Sequence, residues 1–218
     1  MKKKRLYAGN MLLLIALFFF TFLMIRLSYR YLPMRSDIDF LQTKQNIYHI
    51  NYWRWSFYTH VFTSSIVLLA GLTQFSGYIK TNIPRIHRVV GYSYVLIVIF
   101  ITGPAAFVMG LYANGGLPAR ISFTMLSSLW ILFTALAWYH AVNKNFKRHS
   151  VFMQMSYALT LSAITLRLYT FVFAYFHLHM KPVDLYILTA WLSWVPNLCF
   201  AILLSSWRSG VVRETSIS

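Results

Sequence analysis

The chain has 218 residues, of which 58% are hydrophobic and only 11% charged, well below the quarter usual for a soluble domain. Twenty Lys and Arg stand against four acids, a net charge of +16, and the single cysteine, Cys199, excludes an intrachain disulfide framework. The basic residues punctuate long apolar runs, so they read as membrane-surface anchors; the expected partner is the lipid bilayer, with no nucleic acid.

Six uncharged runs supply the roughly 20 residues that a helix needs to cross about 30 Å of hydrocarbon. The first, Leu6 to Ile25, follows Lys2, Lys3, Lys4 and Arg5. It is too long for a signal-peptide core and leads into Arg26-Leu27-Ser28-Tyr29-Arg30, not a cleavage site, so it is expected to be an uncleaved anchor. The second runs from Trp55 to Ile79 and the third from about Gly91 to Tyr112, where Gly103-Pro104 should kink it. The fourth lies within Ile121 to Asn143, and the fifth from about Ser150 to Phe176 is interrupted by Arg167. The sixth, Leu185 to Trp207, contains Pro196. None alternates polar and apolar residues as membrane strands do. The fold class is therefore an all-α membrane protein, a bundle of six transmembrane helices.

Placing the N-terminus inside puts twelve Lys and Arg on the cytoplasmic side and six outside, with Arg26 and Arg167 near outer helix ends left uncounted, and an even number of spans returns the C-terminus to the cytoplasm. Both termini are expected to be cytoplasmic. The expected segments are an anchor helix at 1–28, an outer loop at 29–54, a core of four spans at 55–178, a sixth span at 183–207 and a cytoplasmic tail at 208–218.

The sequence lacks a Gly-rich phosphate loop, Cys-x-x-Cys, Gly-x-Ser-x-Gly and His-Glu-x-x-His, and none of its four acids lies inside an expected span. Paired-carboxylate catalysis is excluded on that ground. What remains is histidine. His49, His177 and His179 sit beyond helix ends, where an imidazole ordinarily bonds a carbonyl or water. His60 lies within an apolar span, where a polar group is costly and points to function. Arg167 should lie about 25 Å from the inner end of the fifth span. No span offers it a carboxylate, so it either snorkels to headgroups or pairs with an anionic ligand: a haem propionate, a quinone oxygen or a lipid phosphate. His87, His140 and His149 gather at the inner face. Neutral imidazoles from separate helices suit b-type haem, and Arg85, Arg88, Lys147 and Arg148 around them suit propionates, although the same residues also fit plain positive-inside anchoring. Zinc would want more ligands than this depth supplies.

Gly71-Leu72-Thr73-Gln74-Phe75, then Pro84-Arg85-Ile86-His87-Arg88-Val89-Val90-Gly91-Tyr92, then Arg148-His149, Met153, Ser156-Tyr157-Ala158-Leu159-Thr160 and Thr165-Leu166-Arg167, resemble the bacterial integral-membrane family called domain of unknown function 2306. The resemblance covers about Tyr58 to Leu168, leaving the first and sixth spans outside its motifs. Phe152 stands where the pattern generally has tryptophan and Met155 where it has arginine. The resemblance implies a multi-pass protein of the bacterial inner membrane and singles out His60, His87, Arg88, His149 and Arg167. A looser, purely architectural similarity is to ascorbate-linked transmembrane b-type cytochromes.

Three functional expectations follow. The first is a haem b or quinone-linked electron carrier, with His87 and His149 as the iron's axial ligands, His140 as an alternative, Arg88 and Arg148 on propionates, and a membrane redox partner. The second is a noncatalytic factor that assembles or stabilises a larger membrane complex. The third is a small-solute transporter, which the kinks at Pro104 and Pro196 permit.

Overall fold

The computed structural model describes residues 2–74, 76–177 and 179–214, with side chains between Ile15 and Trp207. Phe75, the basic side chains before the first span and the side chains of the 208–218 tail lie outside the described set. Every element is helical, and no strand occurs among the described residues. Five helical segments are long and apolar enough to cross a membrane: Asn51–Gln74, Pro84–Leu111, Gly116–Val142, Phe146–Tyr175 and Pro182–Trp207. Ahead of them α1 spans Lys2–Tyr29, and its described part, Ile15–Tyr29, is apolar.

Several spans start earlier than the uncharged runs suggest. The second begins at Asn51, the third at Pro84 and the fifth at Phe146. Counting uncharged residues truncates a helix at its first cation, whereas Arg85, Arg88, Lys147 and Arg148 are exposed on the helices and can extend their charges away from the apolar stem. Pro84 opens its helix because the N–H it lacks would have no intrahelical partner there.

The chain divides into two compact units, Met1–Ile97 and Val98–Ser218. In the first, α1 packs along α3 (Asn51–Gln74), where the Ser28 hydroxyl lies 3.0 Å from Ser65 Oγ and 3.2 Å from the Val61 carbonyl. The segment between these helices is folded: a 3-10 turn at Asp39–Lys44 leads into α2, Gln45–Tyr48. Aromatic rings hold it down. Phe40 and Trp53 stack on Phe57 with centroids 6.0 and 5.8 Å away, Tyr31 meets Phe57 edge-on at 5.2 Å, and the Tyr48 and Tyr58 hydroxyls are 3.1 Å apart. Arg30 pairs with Asp39 at 3.1 Å. Arg35 grips Asp37 through two nitrogens, which holds that carboxyl below the usual carboxylate range. Beyond α3, α4 (Gly77–Asn82) and α5 (Pro84–Ile97) form an elbow, and α5 packs back on α3.

In the second unit a π turn at Val98–Thr102 continues the span into α6, Gly103–Leu111, so the interruption expected at Gly103-Pro104 is present as a π turn. The remaining helices are α7 (Gly116–Val142), α8 (Phe146–Thr160), α9 (Ser162–Tyr175), α10 (Pro182–Leu192) and α11 (Val195–Glu214). Helix α7 is the spine and packs against α6, α8 and α10. Apart from Trp130, its buried side chains are small or hydroxyl-bearing: Ala119, Ser122, Ser127, Thr134 and Ala137. Large apolar side chains such as Phe171, Phe200 and Leu203 face outward. Lipid offers no hydrophobic drive between helices, so close approach of small residues and hydrogen bonds hold such a bundle together. The Trp130 indole N–H donates to Thr160 Oγ1 at 3.0 Å, and Thr134 Oγ1 lies 2.7 Å from Ser156 Oγ, joining α7 to α8.

Two spans break partway. Phe146–Tyr175 breaks at Leu161, between α8 and α9, and Pro182–Trp207 breaks at Ser193-Trp194, ahead of Pro196. Pro196 has no N–H to offer the preceding turn. The backbone groups at the second break find other partners. The Ala190 carbonyl accepts from Ser122 Oγ at 3.0 Å and Ser193 Oγ at 2.9 Å, while the Trp194 indole donates to Ser122 Oγ at 2.9 Å. The two breaks meet, because Thr165 Oγ1 donates to the Ser193 carbonyl. The Asn197 amide spreads its two protons over the Ala158 carbonyl (3.3 Å), Thr165 Oγ1 (3.1 Å) and the Ser193 carbonyl (3.1 Å).

Candidate functional site

The turn between α7 and α8 builds the best-defined histidine site. Asn143 closes α7, Lys144 adopts a left-handed conformation (φ 57°), and the Asn145 N–H returns to the His140 carbonyl at 2.8 Å. The Asn145 side chain then caps α8 by accepting from the Arg148 N–H at 3.2 Å. These bonds reverse the chain within three residues and set His149 in the first turn of α8 against the last turns of α7.

There the His149 Nδ1 lies 2.9 Å from the Ala137 carbonyl oxygen. A carbonyl can only accept, so Nδ1 carries the proton, and in the neutral ring Nε2 holds the lone pair. A carbonyl-anchored Nδ1–H is the arrangement that orients metal-ligating histidines. His149 is half-buried. His140, three residues beyond Ala137, has a different environment: its ring lies flat on Phe152, with centroids 5.4 Å apart and 6° between planes, and Phe152 stacks in turn on Phe133 at 6.2 Å. Tyr139 meets the His140 ring edge-on at 5.3 Å. Phe152, where the family pattern generally has tryptophan, is thus a stacking platform that either aromatic could supply. Arg148 is exposed beside His149.

The other expected site residues lie on other helices. His60 and His87 belong to the first unit and are both half-buried. His60 lies on α3, whose end at Gln74 is 14 residues further on, about 21 Å along the axis. His87 sits in the first turn of α5, the helix that follows the α4 elbow, so it lies toward the Gln74 end of α3, whereas His60 lies nine residues in from Asn51. Arg88 is exposed, its Nε donating to the Pro84 carbonyl at 3.4 Å. Arg167 on α9 is exposed and donates to the Ala163 carbonyl at 3.0 Å. It is 18 residues beyond His149, about 27 Å along α8 and α9. His49, His177 and His179 are exposed. Among the described residues no three metal-ligating side chains gather into one group, so ligation by one or two imidazoles is the metal chemistry left.

The family described as "Predicted membrane protein (DUF2306)" matches residues 57–205. The chain belongs to that family. The match begins in α3 and runs into α11, so it takes in the sixth span as well as the Tyr58–Leu168 stretch that carries the motifs. No curated protein matches the chain, and no solved structure does.

Several family motif residues have visible packing roles. A Cβ on Gly91 would lie 3.0 Å from Gln74 Oε1, so the glycine of one motif makes room for the glutamine of another. Ser156 and Thr160 are the α8 partners of Thr134 and Trp130. Thr165 ties the α8–α9 break to the α10–α11 break. Sequence reasoning passed over Asn197, although an amide in an apolar span is a recognisable interhelical hydrogen-bonder.

Proposed function

We propose that this multi-pass membrane protein holds a b-type haem through His149 and passes electrons within the membrane. The proposal includes α1 as a sixth span, both termini in the cytoplasm and residence in the bacterial inner membrane. One contact carries the reading: the His149 Nδ1–H bond to the Ala137 carbonyl, which fixes the tautomer and leaves Nε2 as the ligating atom. A bound haem would supply the one-electron chemistry. This chain's residues would hold and orient it. His87 would be the second imidazole to hold the iron, and Arg88 and Arg148 would be cationic partners for the propionates. Arg167 is taken to pair with an anionic group, a haem propionate, a quinone oxygen or a lipid phosphate, and His60 keeps a functional reading of its own as a histidine within an apolar span. His140 is the less favoured ligand, because the carbonyl-anchored Nδ1 that leaves Nε2 to ligate belongs to His149.

The test is an oxidised and dithionite-reduced absorption spectrum of the detergent-purified full chain, expressed with haem supply, beside His149→Ala, His87→Ala and His140→Ala. A reduced α-band of b type, lost in His149→Ala and His87→Ala and kept in His140→Ala, is the expected result. A colourless protein whose variants keep their helicity would overturn the haem reading and leave a noncatalytic assembly role. One observation favours a third reading, solute transport: two broken helices meet at Thr165, Ser193 and Asn197, and discontinuous helices build many transport sites. Swelling of proteoliposomes in small polar solutes, abolished by Arg167→Ala, would support it.

A further inference from the structure

The α7–α8 turn has a second property, independent of the histidines. Lys144, Lys147 and Arg148 are all exposed on it, within one helical turn of each other in sequence. No aspartate or glutamate occurs between residues 40 and 183, so neither helix of this hairpin can offer a counter-charge. The same turn shows water or lipid three large apolar side chains: Tyr139, Val142 and Phe146 are each more than 60% exposed. Lys144 is held in place by backbone, since its left-handed conformation lies between the Asn143 cap and the Asn145–His140 bond. Cations and apolar side chains alternate along a fixed turn. Such an edge meets a membrane at the level where acyl chains give way to phosphate, with the rings and Val142 below and the ammonium groups among the headgroups.

We infer that the α7–α8 turn is a binding site for the headgroup phosphate of an anionic phospholipid, with Lys144 and Lys147 as its ligands and Phe146 and Tyr139 as its acyl-side contacts. A zwitterionic lipid offers the same phosphate with a cation beside it, so an ammonium pair with no acid on its own hairpin selects for net negative charge. The α4–α5 elbow of the first unit has a similar composition, with Lys80, Arg85 and Arg88 exposed alongside Tyr78, Ile86 and Val89. The haem proposal takes Arg88 and Arg148, not these two lysines, as its propionate partners, so either idea can fail alone.

The experiment is native mass spectrometry of the detergent-purified full chain titrated with phosphatidylglycerol or phosphatidylcholine, repeated with Lys144→Gln/Lys147→Gln and Lys144→Arg/Lys147→Arg. The wild type should retain phosphatidylglycerol in preference. The glutamine pair should bind it roughly thirty-fold more weakly, the effect of two juxtamembrane lysines on an anionic headgroup. The arginine pair should bind like wild type, and helicity by circular dichroism should be equal in all three. Equal retention of the two lipids, or unchanged binding by a folded glutamine pair, overturns the inference. Displacement of the lipid by millimolar inorganic phosphate overturns the lipid assignment in favour of a free-anion site.

Discussion

Replacing Gly103 by alanine is the sharpest test of the packing around the π turn. A Cβ built there would lie 2.4 Å from the Val98 carbonyl oxygen and 2.6 Å from Ile131 Cγ1, against 3.4 to 4 Å for ordinary contact. The Ile131 side chain on α7 can leave its rotamer at a cost of about 0.5–1.5 kcal/mol. The Val98 oxygen is backbone, so relief there requires about 1 Å of movement by the π turn itself, within the usual overpacking range of about 1–3 kcal/mol. Alanine's better helix propensity returns about 1 kcal/mol. The net expectation is a loss of about 1–2 kcal/mol, roughly a tenfold shift toward the unfolded form. Unfolding by sodium dodecyl sulfate, followed by circular dichroism, measures it. The control is Gly77→Ala, where nothing lies within 4 Å and the change should stay within about 0.5 kcal/mol. A Gly103→Ala protein as stable as the wild type would refute the reasoning, because the contact would then be too soft to shape the turn.

Removing the bond between α7 and α8 with Thr134→Val and Ser156→Ala should give a double-mutant-cycle coupling of about 0.6 kcal/mol, the usual worth of an interhelical bond in lipid. Asn197→Leu discards an amide that serves three acceptors with two protons, so it should cost about 1 kcal/mol. Its hydrogen exchange should rise around Leu161 and Ser193 while α7 stays protected, and uniform exchange would speak against the amide as the tie between the breaks. Arg35→Gln should let the Asp37 carboxyl rise toward its ordinary value near about 3.9, as read by carbon-13 NMR titration. The carboxyl is depressed in the folded chain, so the pair's contribution is present above the unfolded value and fades as pH falls through the folded one. A titration unchanged by the substitution would show that Arg35 does not hold the group.

The spans were legible because hydropathy and length leave little freedom, and Pro196 signalled the break beside it. The starts at Asn51, Pro84 and Phe146 were not, since a run of uncharged residues ends where a helix with a snorkelling cation does not. Leu161 carries no local signal of a break: neither proline nor glycine is near, and Asn197, which donates to the Ala158 carbonyl and Thr165 on either side of it, lies on another helix. The gathering of His140 and His149 at one end of a hairpin followed from their positions at the end of one helix and the start of the next. The bond from His149 to Ala137 could not be read, because it depends on how α8 lies against α7. Phe152 was visible as a departure from a pattern, yet its ring contact with His140 emerges only from packing.

The contacts between Ser122, Ala190 and Trp194 join residues about seventy positions apart, and they have a consequence for how the protein is made. Helices enter the bilayer first and associate afterwards. The apolar segment Pro182–Trp207 must therefore be accepted by the insertion machinery before α7 can offer Ser122 to the carbonyl at its break. Its partitioning is decided by its own hydrophobicity, and the final shape of its middle belongs to the later, associative step. Substitutions at Ser122 should leave integration intact while delaying maturation of the assembled bundle.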